Sequence, residues 1–384
     1  MKCLWTAAFV WASLMWAQTP PADSFDELAA RAQAEVDSNP AESAELFKKA
    51  LEIRPSWAEG WLYLGADLYQ SQRFSEARDA FRKGIALAPQ IGSAYGFLGL
   101  CEYELGDLNG AIGDIRKGEQ LGLGPNLVFE TLVRRRAALA LTRAQAYDEA
   151  LAQLGPLTVK KVNTPEVEEA IGLCALTMPR SPESLTPQER VVVDLAGRAT
   201  WANMCRRSTD AEQAFAELLA KYPDFPGVQY AAGVYEMEMD QRVALGEFEK
   251  ELKSNPTHWP SMLVIGFLRT RDGDPEAGIE MTRRAMRLEP PRDHWIAQTA
   301  IGQAYLSMGQ PEKAVVELEQ AAKQQPSNDS IHFFLEQAYR QLGRKADAER
   351  EKDEFVRIRE RTDPRSLPTP PSLGGAPSAS EAAQ

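Results

Sequence analysis

Along residues 58–91 the apolar positions Trp61, Leu64, Gly65 and Leu68 fall at steps of three and four, the spacing of one helical face. A polar break follows at 72–74. Beyond it Ser75 is expected to cap a second helix, on which Ala77, Phe81 and Ile85 recur at four-residue steps. Pro89 stops that helix, because proline lacks an amide hydrogen and its ring clashes with the preceding turn. The pattern predicts helix, tight turn, helix, turn. Gly65 and Ala77 are small enough to let the two helices approach closely, with Trp61, Leu64 and Phe81 filling the space around them.

The unit returns. Pro55 is answered by Pro89, and Pro223, Pro256, Pro290 and Pro326 follow one another on nearly the same beat. Gly65 recurs at Gly99, Ala77 at Ala111, Tyr69 at Tyr103, Tyr305 at Tyr339 and Gly309 at Gly343, each time one period on. That period, about 34 residues, marks a helical repeat array, whose length counts stacked units rather than globular domains.

These residues resemble the tetratricopeptide repeat family. Its pattern places an aromatic, a Leu-Gly pair and a Tyr on the first helix, then Ala, an aromatic and Ala on the second, then Pro. It recurs as Tyr95, Leu98, Gly99, Ala111 and Ile115. It returns as Ile301, Gly302, Tyr305, Gly309, Ala314, Leu318, Ala321 and Pro326, and again as Leu335, Tyr339, Gly343, Ala348 and Phe355. The resemblance implies an all-α fold, a right-handed superhelical solenoid of antiparallel helix pairs. It covers most of residues 24–361. The first unit is partial, carrying Phe47, Ala50 and Pro55, and Ser24 with Glu27 has the form of a capping box.

The middle departs from the pattern. Residues 126–154 fit with about five extra residues in the first helix, a length judged against the repeat period. Residues 156–190 lack a Pro-bounded second helix; Pro179, Pro182 and Pro187 mark a loop, and Thr186 with Glu189 forms the next capping box. The pattern resumes at Ala211, Phe215 and Pro223. The expected organisation is an N-terminal repeat block at 24–155, an irregular joint at 156–190 and a C-terminal block at 191–361. Two readings of the joint stay open, a flexible hinge or one continuous superhelix with diverged repeats. Asp363 to Gln384 holds five prolines with few large apolar side chains, so a disordered Pro-rich tail is expected at 362–384.

Charge and the N-terminus then narrow the function. The formal net charge is −12, which disfavours a nucleic-acid surface, since such a surface needs basic groups to release phosphate counterions. Lys2 precedes an apolar run from Cys3 to Ala17, shorter than the roughly 20 residues that cross a bilayer. Residues 1–18 therefore read as a cleaved export signal, giving a periplasmic or secreted protein with no stable membrane contact. Met15, where a small residue is usual before the cut, keeps open an uncleaved anchor formed by residues 3–17. Cys101, Cys174 and Cys205 remain after the signal; all are expected as buried thiols, with a Cys174–Cys205 bridge as the alternative in an oxidising compartment.

Candidate chemistry is sparse. His258, His294 and His332 stand roughly one repeat apart, each near the start of a first helix, so they follow the repeat rather than converge on a metal. His258-Trp259 and His294-Trp295 are expected to form an aromatic ledge at that edge. Arg134, Arg135 and Arg136 span about 200° of a helix and so cannot share one ligand; acidic partners are expected on the next repeat. No phosphate loop, nucleophile elbow or His-Glu-x-x-His is present, and no catalytic residue, cofactor or metal site is assigned.

In the resembled family the first helices line a concave surface that grips an extended peptide or a partner's helix. By that resemblance the partner-groove candidates are Leu62, Ala66, Tyr69, Gly96, Leu100 and Tyr103, then Leu263, Phe267, Thr299, Gln303, Phe333 and Gln337. One subgroup clamps a C-terminal carboxylate with Lys and Asn four apart on a first helix. Leu62 and Ala66 occupy those places here, so that function is disfavoured. The expected function is an exported, non-enzymatic scaffold for protein–protein interaction; the alternative is an accessory subunit of an envelope enzyme system in cell-wall or polysaccharide assembly or secretion.

Overall fold

The computed structural model describes residues 24–36, 38–288 and 294–361. The signal expected at 1–18, the tail expected at 362–384 and Pro290 lie outside them. Among the described residues the chain forms nineteen α-helices, one 3-10 turn and no strand. It divides into two units, the first holding residues up to 106 with 116–123, the second 107–115 with 124 onward.

The first unit contains α1 (Phe25–Glu35), α2 (Pro40–Ile53), α3 (Ala58–Gln70), α4 (Phe74–Leu87) and α5 (Gly92–Glu104); α6 (Leu108–Leu121) is divided between the units. Consecutive helices α1 to α5 pack on one another, and the first helices α3 and α5 also touch. Phe47, Phe81, Leu64, Leu68 and Ala77 are buried together in the core. A Cβ added to Gly65 would lie 2.9 Å from the Phe81 ring, so glycine here sets the close crossing of α3 and α4. Phe81 then stacks on Phe97 with ring centroids 5.2 Å apart. Ser24 and Glu27 form the capping box of α1, satisfying backbone donors that the first turn leaves unpaired.

The expected Ser75 cap is corrected. Helix α4 begins at Phe74, Arg73 holds the cap position without a side-chain cap bond, and Ser75 lies inside the first turn. The cause is the turn itself. Gln72 adopts a left-handed backbone, φ 59°, and the Arg73 amide donates to the Leu68 carbonyl at 2.8 Å. This closure lets the second helix start at once.

The second unit opens with α7 (Leu127–Arg143), α8 (Tyr147–Val159) and α9 (Pro165–Ala175). After the 3-10 turn Pro182–Ser184 come α10 (Pro187–Met204), α11 (Ser208–Lys221), α12 (Val228–Glu236), α13 (Gln241–Ser254) and α14 (Trp259–Arg271). The remaining helices are α15 (Pro275–Met286), α16 (His294–Ser307), α17 (Pro311–Gln324), α18 (Asp329–Gln341) and α19 (Lys345–Arg361). At 17 residues α7 is four longer than the 13-residue α3, which absorbs the extra residues seen in the sequence. Helix α9 has no second helix of its own and packs on α7, α8 and α10. Thr186 and Glu189 form the capping box of α10.

The hairpin contact of the first unit repeats in the second. A Cβ on Gly233 would lie 2.8 Å from Phe248, and one on Gly302 would lie 2.5 Å from Leu318. The left-handed turn repeats too. It falls on Gly273, Gly309 and Gly343, but also on Gln145, Lys161, Thr177 and Arg206. Each is followed by an amide that bonds back five residues, such as Met178 to Leu173 at 2.9 Å. First helices touch across pairs, α14 with α16 and α16 with α18, so together they line one face of the stack.

Candidate functional site

The groove candidates separate by exposure. Leu62, Ala66, Tyr69, Phe267, Thr299, Gln303, Phe333 and Gln337 are half-buried. Leu100 is fully buried, Tyr103 is 7 % exposed, Leu263 is 8 % exposed and Gly96 is buried, so these four are core positions and not groove contacts. The reason for Leu263 is its packing with Met262, Ala285 and Ala297. Contacts already engage others. Leu62 lies over Gly84 of α4, where a Cβ would come within 2.5 Å of its methyl group. Tyr69 packs against Phe74 and Phe97, and Phe333 against Phe334 and Phe355. Ala66 and Gln303 keep part of their surface open without a ring of their own to pack.

A second constellation lies inside the second unit, where the repeat pattern fails. Tyr147 at the start of α8 stacks on Trp259 at the start of α14, with ring centroids 6.0 Å apart. Trp259 Nε1 donates to Gln145 Oε1 at 3.2 Å, across 114 residues of sequence. His258 Nε2 lies 2.7 Å from Thr177 Oγ1, across 81 residues. Tyr230 of α12 meets the His258 ring edge-on at 5.0 Å. Four stretches of chain thus meet: the α7–α8 turn, the end of α9, α12 and the start of α14.

Hydrogen-bond geometry fixes the state of His258. Its Nδ1 accepts from the Ser261 amide at 3.2 Å, so this side chain is the N-cap of α14. Thr177 donates its own hydroxyl proton to the Leu176 carbonyl at 2.7 Å, so its oxygen accepts from His258 Nε2–H. The imidazole is therefore neutral, with the proton on Nε2. Burial pushes its pKa down to about 4, in keeping with that assignment. Thr177 itself sits at φ 51°, a left-handed conformation that a β-branched side chain resists. The bond to His258 helps to hold it there.

Asp148 follows Tyr147 in the first turn of α8 and is exposed to solvent. Desolvation nevertheless raises its carboxyl, with the charge of Glu149 adding to the effect. Burial raises Tyr230 and Cys174, with the charge of Asp148 adding to the effect. Cys174 is buried and its thiol donates to the Tyr147 carbonyl at 3.0 Å.

Glu251 of α13 anchors the same region from behind. Its carboxylate accepts the Gly227 amide at 3.1 and 3.2 Å and so caps α12, whose own cap residue has no side chain. Gly227 takes φ 85°, and a Cβ there would lie 2.1 Å from the Leu176 carbonyl oxygen. The segment before α12 therefore runs directly over the end of α9.

Sequence reasoning missed Tyr147, Thr177 and Tyr230, and placed His258 and Trp259 on an aromatic ledge at the repeat edge. His258 is buried and Trp259 half-buried, because both are folded against α8 and α9. The available signal was the failure of the repeat itself between Pro89 and Pro223. Arg134 Nε bonds Glu130 Oε1 at 2.9 Å on the same helix, and Lys160 joins the same carboxylate. Cys101, Cys174 and Cys205 carry no disulfide; Cys101 and Cys174 are buried, Cys205 half-buried. Among the described residues no three His, Cys, Asp or Glu side chains converge as metal ligands, and no helix is long and apolar enough to cross a membrane.

Comparison with known proteins supplies two family matches. Residues 58–91 match the tetratricopeptide repeat, and residues 269–361 match the bacterial transcriptional activator domain. No curated protein matches the chain. Among solved structures, the crystal structure of MamA protein shares 18 % identity over 47 % of this chain and 98 % of its own, with a TM-score of 0.38. Yeast Tom70 shares 12 % identity over 88 % of this chain and 77 % of its own, with a TM-score of 0.38. The TPR domain of P58(IPK) shares 18 % over 84 % of this chain and 99 % of its own, with a TM-score of 0.28. These structural likenesses are too distant to carry an argument about function. Residues 58–91 thus carry a tetratricopeptide repeat, and its helix-pair contact recurs at Gly233 and Gly302.

Proposed function

We propose that the chain is a non-catalytic scaffold that holds a protein partner on the faces lined by its first helices. The supporting observation is the contact of α14 with α16 and of α16 with α18, which sets three first helices side by side. Phe267, Gln303 and Phe333 stand on those helices, half-buried and so able to meet a partner. Ala66 and Leu62 of α3 are the corresponding positions in the first unit, both half-buried. Binding of this kind works by shape: rigid repeats present a preformed surface, and a few side chains confer specificity. The net charge of −12 favours a protein partner over a nucleic acid. Residues 1–18 are proposed to export the chain to the periplasm or beyond.

Cross-linking in intact cells, followed by identification of the captured protein, tests the scaffold. Ala66→Trp and Gln303→Trp each add bulk at a half-exposed position, and at least one is expected to lower capture about fivefold with helicity unchanged. Full capture by both variants overturns the reading. N-terminal sequencing of the native protein tests export, with a start near Gln18 expected and an intact Met1 against it.

A further inference from the structure

Helix α10 opens to solvent a face that regular first helices bury. Leu64, Ile265 and Leu335 stand at one fixed spacing before Ala77, Gly278 and Ala348 of the following helices, and all three are buried. Arg198 stands at the same spacing before Ala211 and is exposed. One turn earlier, Ser261 of α14 and Ala297 of α16 are fully buried, whereas Asp194 of α10 is half-buried. Nearly two turns earlier, His258 is 7 % exposed and Val191 is 52 % exposed. The cause is what precedes each helix. Phe248 of α13 shares a core cluster with Ile265 of α14, and Leu318 of α17 shares one with Leu335 of α18, so the preceding second helix covers this face. Helix α9 has no second helix, and it meets α10 elsewhere. A Cβ on Gly197 would lie 2.0 Å from the Glu168 carbonyl oxygen, and one on Gly172 would lie 2.0 Å from that of Val193. Val193 and Gly197 lie about a third of a turn round α10 from the open face. Beside this crossing is a cleft of about 330 Å³, lined by Pro165 and Glu168 of α9 and by Val191, Asp194 and Arg198 of α10.

We infer that this cleft seats an amphipathic helix of a partner protein, lying where the second helix of a regular repeat would lie and turning basic residues toward Asp194 and Glu168. The shape of the occupant follows from the chain itself, since a helix covers the same face at α14 and α18. Its charge follows from the lining. Two carboxylates face one guanidinium, so the seated helix presents more base than acid. Among the described residues neither Asp194 nor Arg198 forms a hydrogen bond or an ion pair, and Glu168 gives one carboxylate oxygen to Asn163 Nδ2 at 2.9 Å. Val191 and Pro165 supply the apolar contact that an amphipathic helix needs. The backbone-to-backbone crossing of α9 and α10 fixes the walls before the partner arrives, which lowers the ordering cost of binding. The cleft is separate from the first-helix candidates Phe267, Gln303 and Phe333, so it adds a second docking site.

The test uses the full-length protein and three synthetic peptides, with binding followed by calorimetry. Two are stapled amphipathic helices with a Leu and Ala face, flanked by Lys in one and by Glu in the other. The third has the Lys composition but is interrupted by proline. The Lys helix is expected to bind at least tenfold tighter than either of the others. Val191→Lys, at an exposed position, is expected to weaken it about tenfold, and Asp194→Lys to reverse the preference toward the Glu helix. Val316→Lys makes the same change at an exposed valine of α17 and leaves binding intact. Equal binding of the three peptides, or a preference that survives both α10 variants in folded protein, overturns the inference. Sedimentation of the protein alone is measured alongside. A dimer that Val191→Lys dissolves also overturns it, by making the occupant a second copy of this chain. Failure here leaves the first-helix reading standing, because that reading is decided by capture with Ala66→Trp and Gln303→Trp.

Discussion

Two buried titratable groups carry opposite pH signatures. Asp67 of α3 is buried, and one carboxylate oxygen has no hydrogen-bond partner. Burial raises its pKa to about 6, with the Ser43 hydroxyl opposing the effect. The unfolded chain ionises Asp67 near pH 4, so between about pH 4 and 6 the folded state holds more protons. Stability contributed by this residue therefore falls as pH rises through that window. The full cost is about 3 kcal/mol at roughly 1.4 kcal/mol per pKa unit. His258 behaves in the reverse sense. Its folded pKa of about 4 lies below the unfolded value, so stability is present above pH 6.5 and is lost as pH falls toward 4. Asp67→Asn is expected to stabilise the protein at pH 7 by about 1–3 kcal/mol and to leave His258 as the dominant acid-side slope. Urea titrations of both proteins at pH 4, 5, 6 and 7 check this; equal curves at pH 7 reject it.

At the scale of elements, the turns decide how much of the molecule can be read from sequence. Most first helices, and α8 as well, end in a left-handed residue. Where that residue is Gly106, Gly273, Gly309 or Gly343, the sequence marks it. Where it is Gln72, Gln145, Lys161, Thr177 or Arg206, nothing in the residue type announces the conformation. The helix pairs were legible because apolar spacing has a period and proline interrupts it. The junction of α8, α9 and α14 was not, because it depends on bonds spanning 81 and 114 residues that no local period encodes. Ala66 was legible as a surface position, but Leu100 was not separable from it, since one helical face gives no measure of what packs on the other. Gly227 illustrates the same limit: it reads as a loop residue and acts as a contact with α9. Gly227→Ala adds strain at positive φ and a clash with a fixed carbonyl, so a loss of about 2–4 kcal/mol is expected. Gly246→Ala on α13 meets open space and is expected to gain about 0.5–1 kcal/mol by stiffening the helix. Thermal melts of the two variants should move in opposite directions.

At the scale of the whole molecule, most helix contacts join helices one or two places apart in chain order, so disturbance should stay local. Phe47 is fully buried in the first unit, and Phe47→Ala is expected to cost about 3–5 kcal/mol there. Hydrogen exchange in this variant should rise over α1 to α3 and stay unchanged over α16 to α18. A uniform rise along the chain would mean that the stack unfolds as one body.

The Tyr147–Trp259 stack breaks that locality, and its consequence is kinetic. Helix pairs close short loops and form quickly, whereas joining α8 to α14 closes a loop of more than a hundred residues, whose entropic cost must be met before the contact gives anything back. The stack therefore belongs late on the folding route, after the pairs on both sides of it exist. An interaction made after the transition state slows escape from the native state without hastening arrival. The clasp thus acts as a latch, governing how long the folded second unit persists more than how fast it forms.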